Sequence, residues 1–192
     1  EERPLFIPGH LSLASAHILN KEDELAVDVL KQAIIKNPES EQLLLALTRL
    51  HIKMKNFQSA EESLKALVQL KPDNLKAKVI LADFYAGRKE YEKAFDTYDA
   101  AQKMKPDAPV TYMKKAGLYL QQKQNKKALA ELEAGYARIE DSARLLTALA
   151  DQYIKQKGTS AAIALCQERL ALNPKEAFTL NLLGGIYLVE KE

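Results

Sequence analysis

The chain has 192 residues, of which 47% are hydrophobic and 28% are charged, and this composition excludes an intrinsically disordered protein. Its 28 basic and 26 acidic residues leave a net charge of +2 without any block of like charge, so the overall charge gives no reason to expect nucleic-acid binding. The apolar, uncharged stretch from Ala177 to Val189 is shorter than the ~20 residues that a membrane helix needs, and we expect no insertion into a membrane.

The prolines reveal an internal repeat. Pro38, Pro72 and Pro106 follow one another at intervals of 34 residues, and Pro174 keeps the same phase, with Glu140 at the one missing position. Periods of about 20 to 50 residues are typical of solenoids and related repeat architectures. We therefore divide the chain into an N-terminal tail or the end of an upstream repeat at 1–6, five units at 7–40, 41–74, 75–108, 109–142 and 143–176, and the first helix of a sixth unit, truncated or capping, at 177–192.

Within each unit, apolar side chains recur at the spacing of α-helices. In the second unit, Leu44, Leu47 and His51 share one helical face, and Ala60 and Leu64 share a face of a second helix. Proline cannot continue a helix interior, so it ends each second helix. Small residues at the eighth and twentieth places let the paired helices approach closely, which predicts an all-α fold of helical hairpins. The twentieth place holds Ala26, Ala60, Ala94, Ala128 and Ala162.

The repeating places resemble those of the tetratricopeptide repeat (TPR) family over residues 7–189. Most units have a leucine at the seventh place, a small residue at the eighth, a histidine or tyrosine at the eleventh and an alanine at the twentieth. Two residues depart from the family pattern, since Lys115 occupies a leucine place and Arg169 a place that is usually small. The resemblance implies a right-handed α-solenoid, or superhelix, of about five and a half helix-turn-helix hairpins that acts as a non-catalytic scaffold for protein–protein interactions.

The resemblance also implies a concave groove lined by the first helix of each unit. Several groove residues are apolar, among them Leu45, Val79 and Met113, and these favour the nonpolar face of a partner helix or an extended apolar peptide. The alternative is that a tight superhelix partly covers these residues itself. The implied groove residues are Leu11, Ile18, Leu45, Arg49, Ile52, Lys53, Lys76, Val79, Asp83, Met113, Leu120, Gln121, Arg144, Asp151, Ile154 and Lys155.

The fifteenth place, in the turn between the paired helices, holds lysine in every unit, where the TPR family more often has glycine. One interpretation is electrostatic, because a cation near a helix C-terminus interacts favourably with the negative end of the helix dipole. The other is a basic edge that meets an acidic partner or an anionic polymer, although acidic neighbours such as Glu22 and Glu90 would weaken it. The lysines are Lys21, Lys55, Lys89, Lys123 and Lys157, followed by Lys191 in the half unit.

Residues that could carry chemistry are few, and we expect no catalytic activity, no cofactor and no metal ion. No glycine-rich phosphate loop occurs in the sequence. His17 and His51 hold equivalent places in adjacent units, but two imidazoles without further ligands make a poor zinc site, and we interpret both as packing residues. Cys166 lies in an apolar helical stretch, which predicts a buried, unreactive thiol.

These patterns favour a scaffold that binds a peptide or helix of a partner protein. The long, degenerate repeats resemble bacterial arrays of envelope assembly and of exopolysaccharide or pilus export, which is an analogy of sequence style. The first alternative is the regulatory TPR arm of a larger enzyme. The second is direct carbohydrate binding, which usually needs exposed aromatic side chains, whereas most tyrosines here occupy packing places. The apolar last helix indicates further repeats or self-association. No signal peptide is visible, and the single cysteine is compatible with the cytoplasm and with a bacterial periplasm.

Overall fold

The computed structural model describes residues 6–191, and this part of the chain consists of α-helices joined by short connections, without a β-strand. The all-α fold predicted from the repeat is confirmed. Residues 1–5 of the predicted tail and the side chain of Lys191 lie outside the described residues. The helices are α1 (Ile7–Leu19), α2 (Asp23–Lys36), α3 (Glu41–Lys53), α4 (Phe57–Leu70), α5 (Leu75–Gly87), α6 (Tyr91–Met104), α7 (Pro109–Gln121), α8 (Asn125–Arg138), α9 (Ala143–Lys157), α10 (Thr159–Leu172) and α11 (Ala177–Lys191).

Odd-numbered helices are the first helices of the predicted repeat units, and even-numbered helices are the second ones. The chain forms two compact parts, which meet at Glu90 and Tyr91 in the sequence. In the first part each helix from α1 to α4 packs on the next one, and in the second part each helix from α6 to α10 packs on the next one. No helix within residues 6–191 is both long and apolar enough to cross a lipid bilayer. The repeat boundaries at 7–40 through 143–176 stay a proposal.

Short polar side chains begin several of these helices. The Ser40 hydroxyl accepts the backbone N–H of Leu43 at 3.3 Å before α3, and the Asn74 side chain accepts the N–H of Ala77 at 3.1 Å before α5. Ser142 does the same for α9. Such caps satisfy backbone donors that have no partner within the helix, and each contributes about 1 kcal/mol. The helix starts are therefore encoded locally.

The alanines at the twentieth place are buried in the second helices, and all five of them are 0% exposed. In the first part, Ala26 belongs to a core with Leu30 and Leu43, which joins α2 to α3. In the second part, a larger core contains Ala128, Ala162 and residues of α7, α9 and α11. Small residues thus set the helix spacing in each part.

Lys115 of α7, which replaces a leucine of the repeat pattern, is only 9% exposed. Its Nζ lies 2.7 Å from Asp99 Oδ1 and 3.1 Å from Glu131 Oε2, and it donates a hydrogen bond to Gln102 Oε1 at 2.9 Å. Burial alone would lower the pKa of this amine, but the hydrogen bonds to the two carboxylates outweigh burial, and the pKa is raised. The amine therefore stays charged between α6, α7 and α8.

Arg169 of α10, at a place that is usually small, connects two loops of the second part. Its Nη2 lies 2.7 Å from Asp141 Oδ1 in the α8–α9 connection and 2.8 Å from Glu176 Oε1 just before α11. Its Nε donates to Glu176 Oε2 at 2.9 Å, so the pair with Glu176 is bidentate. The guanidinium therefore links α10 to the residues that precede the N-termini of α9 and α11.

Candidate protein-interaction surfaces

In each compact part, first helices of neighbouring units contact one another. In the first part α1 contacts α3, and in the second part α7 contacts α9, which in turn contacts α11. Within the described residues, neither α2 with α4 nor α8 with α10 makes comparable contacts. We call the surface that the first helices present in each part the first-helix face.

The predicted groove residues of this face differ in exposure. Val79 is buried, with 8% of its surface exposed. Leu11 and Ile18 pack on the core of α1–α3, and Met113, Leu120 and Ile154 pack on the core of the second part. Leu45 also contacts a core cluster, and Asp83 is half-buried. The exposed predicted residues are Arg49, Ile52, Lys53, Lys76, Gln121, Arg144, Asp151 and Lys155.

Most of the apolar groove residues therefore contribute to the core of their own part. Ile52 is the exception, because 40% of its surface is exposed. Two of the lysines are engaged in ion pairs. Lys53 Nζ lies 2.6 Å from Asp23 Oδ1, and Lys76 Nζ lies 3.4 Å from Glu41 Oε1. The exposed residues of the predicted groove are thus mainly charged, and Ile52 is the exposed apolar residue among them.

A hollow of about 450 Å³ opens in the first part at the end of α5. Ile52, Phe57 and Phe84 supply its apolar walls. The Arg88 guanidinium carbon lies 4.2 Å from the centroid of the Phe57 ring, a cation–π contact, and Arg88 Nε lies 3.2 Å from Glu90 Oε1. We call this cavity the turn-edge hollow. It is lined by Ile52, Phe57, Asp83, Phe84, Gly87, Arg88 and Lys89.

Part of this hollow lies outside the residues predicted from the sequence. Ile52 and Asp83 belong to the predicted groove, and Lys89 belongs to the predicted basic edge. Phe57 and Arg88 were missed, because no local sequence signal links the start of α4 to the end of α5. Only their three-dimensional proximity reveals the contact.

Four of the turn lysines have an unusual backbone conformation. Lys21, Lys55, Lys89 and Lys123 have φ values of 64°, 59°, 62° and 58°, which lie in the left-handed region. The turn at Lys55 shows the common pattern, in which its N–H donates to Ile52 O at 3.0 Å and the next N–H, that of Asn56, donates to His51 O at 2.8 Å. These two bonds form a Schellman motif, whose left-handed residue is most often glycine. Lysine therefore stands where glycine would be less strained.

Lys157 differs from the other turn lysines. It is the last residue of α9, and the positive φ of 89° falls on Gly158 instead. Lys157 Nζ lies 3.0 Å from Glu133 Oε1 and 4.2 Å from the centroid of the Tyr153 ring. The predicted placement of Lys157 in the turn is therefore wrong, because glycine supplies the left-handed residue one position later.

Two tyrosines at the eleventh place join adjacent units. The Tyr85 hydroxyl donates to Glu61 Oε1 at 2.9 Å, and the Tyr153 hydroxyl donates to Glu133 Oε1 at the same distance. Burial, and then the hydrogen bond to the carboxylate, raises the pKa of both tyrosines. His51 is 4% exposed and its Nδ1 has no hydrogen-bond partner, and burial lowers the pKa of this imidazole. These contacts are structural, and His51 is held neutral.

The histidines and the cysteine of the described residues do not contribute to a metal site. Within 6–188, no group of three histidine, cysteine, aspartate or glutamate side chains could hold a metal ion. His17 Nδ1 instead lies 2.7 Å from Glu22 Oε2. Cys166 is buried, and burial raises the pKa of its thiol, which disfavours the reactive thiolate.

One family of known proteins matches residues in the middle of the chain. A family model of the tetratricopeptide repeat matches residues 45–109. This segment includes α4, α5 and α6 and the turn-edge hollow of the first part. None of the curated proteins compared with the chain matches it.

Solved structures share the fold at low sequence identity. A thermophilic TPR protein of Thermus thermophilus is 22% identical, with a TM-score of 0.53, and the match covers 94% of this chain and 98% of that one. MamA is 19% identical, with a TM-score of 0.56 and coverage of 88% and 92%. YrrB, described as a TPR protein with an unusual peptide-binding site, is 11% identical, with a TM-score of 0.50 and coverage of 94% and 93%.

Proposed function

We propose that this tetratricopeptide-repeat protein is a non-catalytic scaffold that binds a peptide or helix of a partner protein on its first-helix faces. The TPR fold is generally a protein-interaction scaffold, and TPR proteins bind protein or peptide partners. The observation that carries the proposal is the contact between first helices in each part, whose first-helix face has exposed Arg49 and Ile52 in the first part and exposed Arg144 and Asp151 in the second.

The exposed residues favour a partner segment with both charged and apolar side chains. Arg49 and Arg144 are the exposed arginines of this face, and arginine is enriched at the energetic centres of protein interfaces. The half-buried apolar residues below them, such as Leu45 and Met113, keep the face rigid by packing on the core. A preformed rigid face lowers the entropic cost of binding.

A role in bacterial envelope assembly or in exopolysaccharide or pilus export is part of the same proposal and stays a prediction from the style of the repeats. The regulatory arm of a larger enzyme stays the alternative. Both roles require the same binding face, so an experiment on the face tests their common premise.

The test replaces two arginines of the face. We expect the double variant R49E/R144E to weaken binding of the natural partner by about tenfold or more, because charge reversal introduces repulsion on the first-helix face of each part. A photo-crosslinking amino acid at position 49 would first identify the partner by mass spectrometry in a native lysate. Titration calorimetry with the purified partner would then give the affinities.

The matched control is K31E/K126E, which changes the net charge equally at exposed lysines of the second helices α2 and α8. This control should bind within about twofold of the unmodified protein, since exposed charges away from a contact have small effects. Equal affinity of both double variants for the purified partner would contradict the proposal.

A further inference from the structure

The turn-edge hollow has the dimensions and chemistry of a binding pocket. Its volume of about 450 Å³ falls within the ~300–1,000 Å³ of ligand pockets, which accommodates one large side chain and the adjoining backbone. Ile52 and the two phenylalanines supply apolar walls, and Ile52 remains largely exposed. At Gly87, an added Cβ would meet no atom within 4 Å, so nothing in the described protein fills the space above this residue.

Some charged side chains at the rim of the hollow have interaction partners within the described residues, and one does not. Arg88 is held between the Phe57 ring and Glu90, and Asp83 also has an interaction within the protein. Lys89 is exposed and has no ion-pair partner among the described residues. The charge left available at this rim is therefore positive.

The conformation of Lys89 adds a second observation. Its φ of 62° costs roughly 1–2 kcal/mol relative to the right-handed region, a cost that glycine would avoid. Strained backbone conformations cluster at functional positions. Lys21, Lys55 and Lys123 share this conformation, so the strain is common to the four turns, and Lys89 is the one among these lysines that lines the hollow.

We infer that the turn-edge hollow binds an extended segment of a partner protein in which one large apolar side chain is flanked by acidic residues. The apolar side chain enters between Ile52, Phe57 and Phe84, and a flanking carboxylate pairs with the Lys89 amine. This inference rests on the proposed function and specifies the chemistry of the partner at one end of the first-helix face.

The experiment uses the full chain and three fluorescein-labelled peptides. The first has one phenylalanine flanked on each side by an aspartate and a glutamate, the second has alanine in place of phenylalanine, and the third has lysines in place of the acids. Fluorescence anisotropy should detect binding of the first peptide, about tenfold weaker binding of the alanine peptide and no binding of the lysine peptide.

Two matched pairs of variants locate the binding. G87F fills the hollow and should weaken binding of the first peptide by about tenfold, whereas G117F, at a glycine of α7 that also has open space around its Cβ position, should bind within about twofold. K89E should weaken binding about threefold or more at low salt, whereas K123E, at an equivalent left-handed turn, should not. Circular dichroism verifies that each variant is folded, and K89E keeps the test decisive if G87F is not.

Three results would overturn the inference: failure of the first peptide to bind, equal binding by G87F and G117F, or equal binding of the acidic and lysine peptides. In each case a natural partner that still depends on Arg49 and Arg144 would leave the proposed function intact. If the peptides bound as expected but binding of the natural partner did not depend on Arg49 and Arg144, the proposed function would be wrong and the hollow would be a separate site.

Discussion

Four turn lysines have a left-handed backbone conformation that is unfavourable for a residue with a side chain. They are Lys21, Lys55, Lys89 and Lys123. Each lies one residue after a helix C-cap, where the Schellman motif requires positive φ. A side chain with a Cβ is strained there, although a cation near the helix C-terminus gains ~0.3–1 kcal/mol from the helix dipole. The strain is comparable to or larger than this gain, so stability alone does not explain lysine at the four turns.

Replacing Lys123 by glycine should therefore stabilise the protein. We expect K123G to raise the free energy of unfolding by about 0.5–1 kcal/mol, because relief of strain exceeds the extra freedom of glycine in the unfolded chain. Urea denaturation monitored by circular dichroism measures this change. The control is K155G in helix α9, which should lose about 0.5–1 kcal/mol, since glycine is unfavourable within a helix. A loss of stability in both variants would contradict the strain argument.

At the scale of helices, Arg169 and Glu176 hold the connection between α10 and α11. The hydrogen bond from Arg169, and then that from Thr179, lowers the pKa of Glu176 from its usual 4.5 to about 2. A carboxyl whose pKa is lower in the folded state stabilises the fold at pH values above its unfolded pKa. This stabilisation is lost as the pH falls from about 4.5 toward 2.

The variant E176Q should therefore be less stable than the unmodified protein at neutral pH. The difference in melting temperature between the two should shrink as the pH falls below 4.5 and be small at about 2, where the native carboxyl is half protonated. Thermal melts across this range measure it. E168Q, at an exposed glutamate of α10, is the control and should track the unmodified protein. A difference for E176Q that stays constant with pH would indicate that its effect is steric.

The helices were predictable from the sequence to different degrees. The alanines at the twentieth place and the apolar spacing predicted helical hairpins, because both follow from packing that every unit repeats. The turn at Lys157 was not predictable from the period, since Gly158 shifts the left-handed residue by one position. The partners of Lys115 were also hidden, because Asp99 and Glu131 belong to other helices and the repeat pattern marks neither of them.

The candidate site was less predictable than the fold. The resemblance placed Leu45 and Val79 in a groove, but their side chains pack against or within the core, which depends on helix rotation that sequence spacing does not resolve. Phe57 and Arg88 meet only because α4 and α5 pack together. Binding residues of a repeat protein arise from contacts between neighbouring units, and the pattern within one unit does not contain them.

At the scale of the whole molecule, a substitution should destabilise mainly the helices around it, because the helices pack mainly on their neighbours in the sequence. Leu30 belongs to the core of α1–α3, and Leu149 belongs to the core of the second compact part. Both are nearly fully buried, so replacement by alanine should cost about 2–5 kcal/mol at either site. The consequences should nevertheless appear in different helices.

Native-state hydrogen exchange distinguishes local from global loss. In L30A, amide protection should fall most in α1–α3 and least in α9 and α10, and in L149A the order should be reversed, because solenoid stability is approximately a sum of terms from adjacent units. Each variant serves as the control for the other, since the two changes remove the same side chain from equally buried positions. Equal loss of protection in all helices of both variants would mean that the chain unfolds as a single cooperative unit, and the local description would then be wrong.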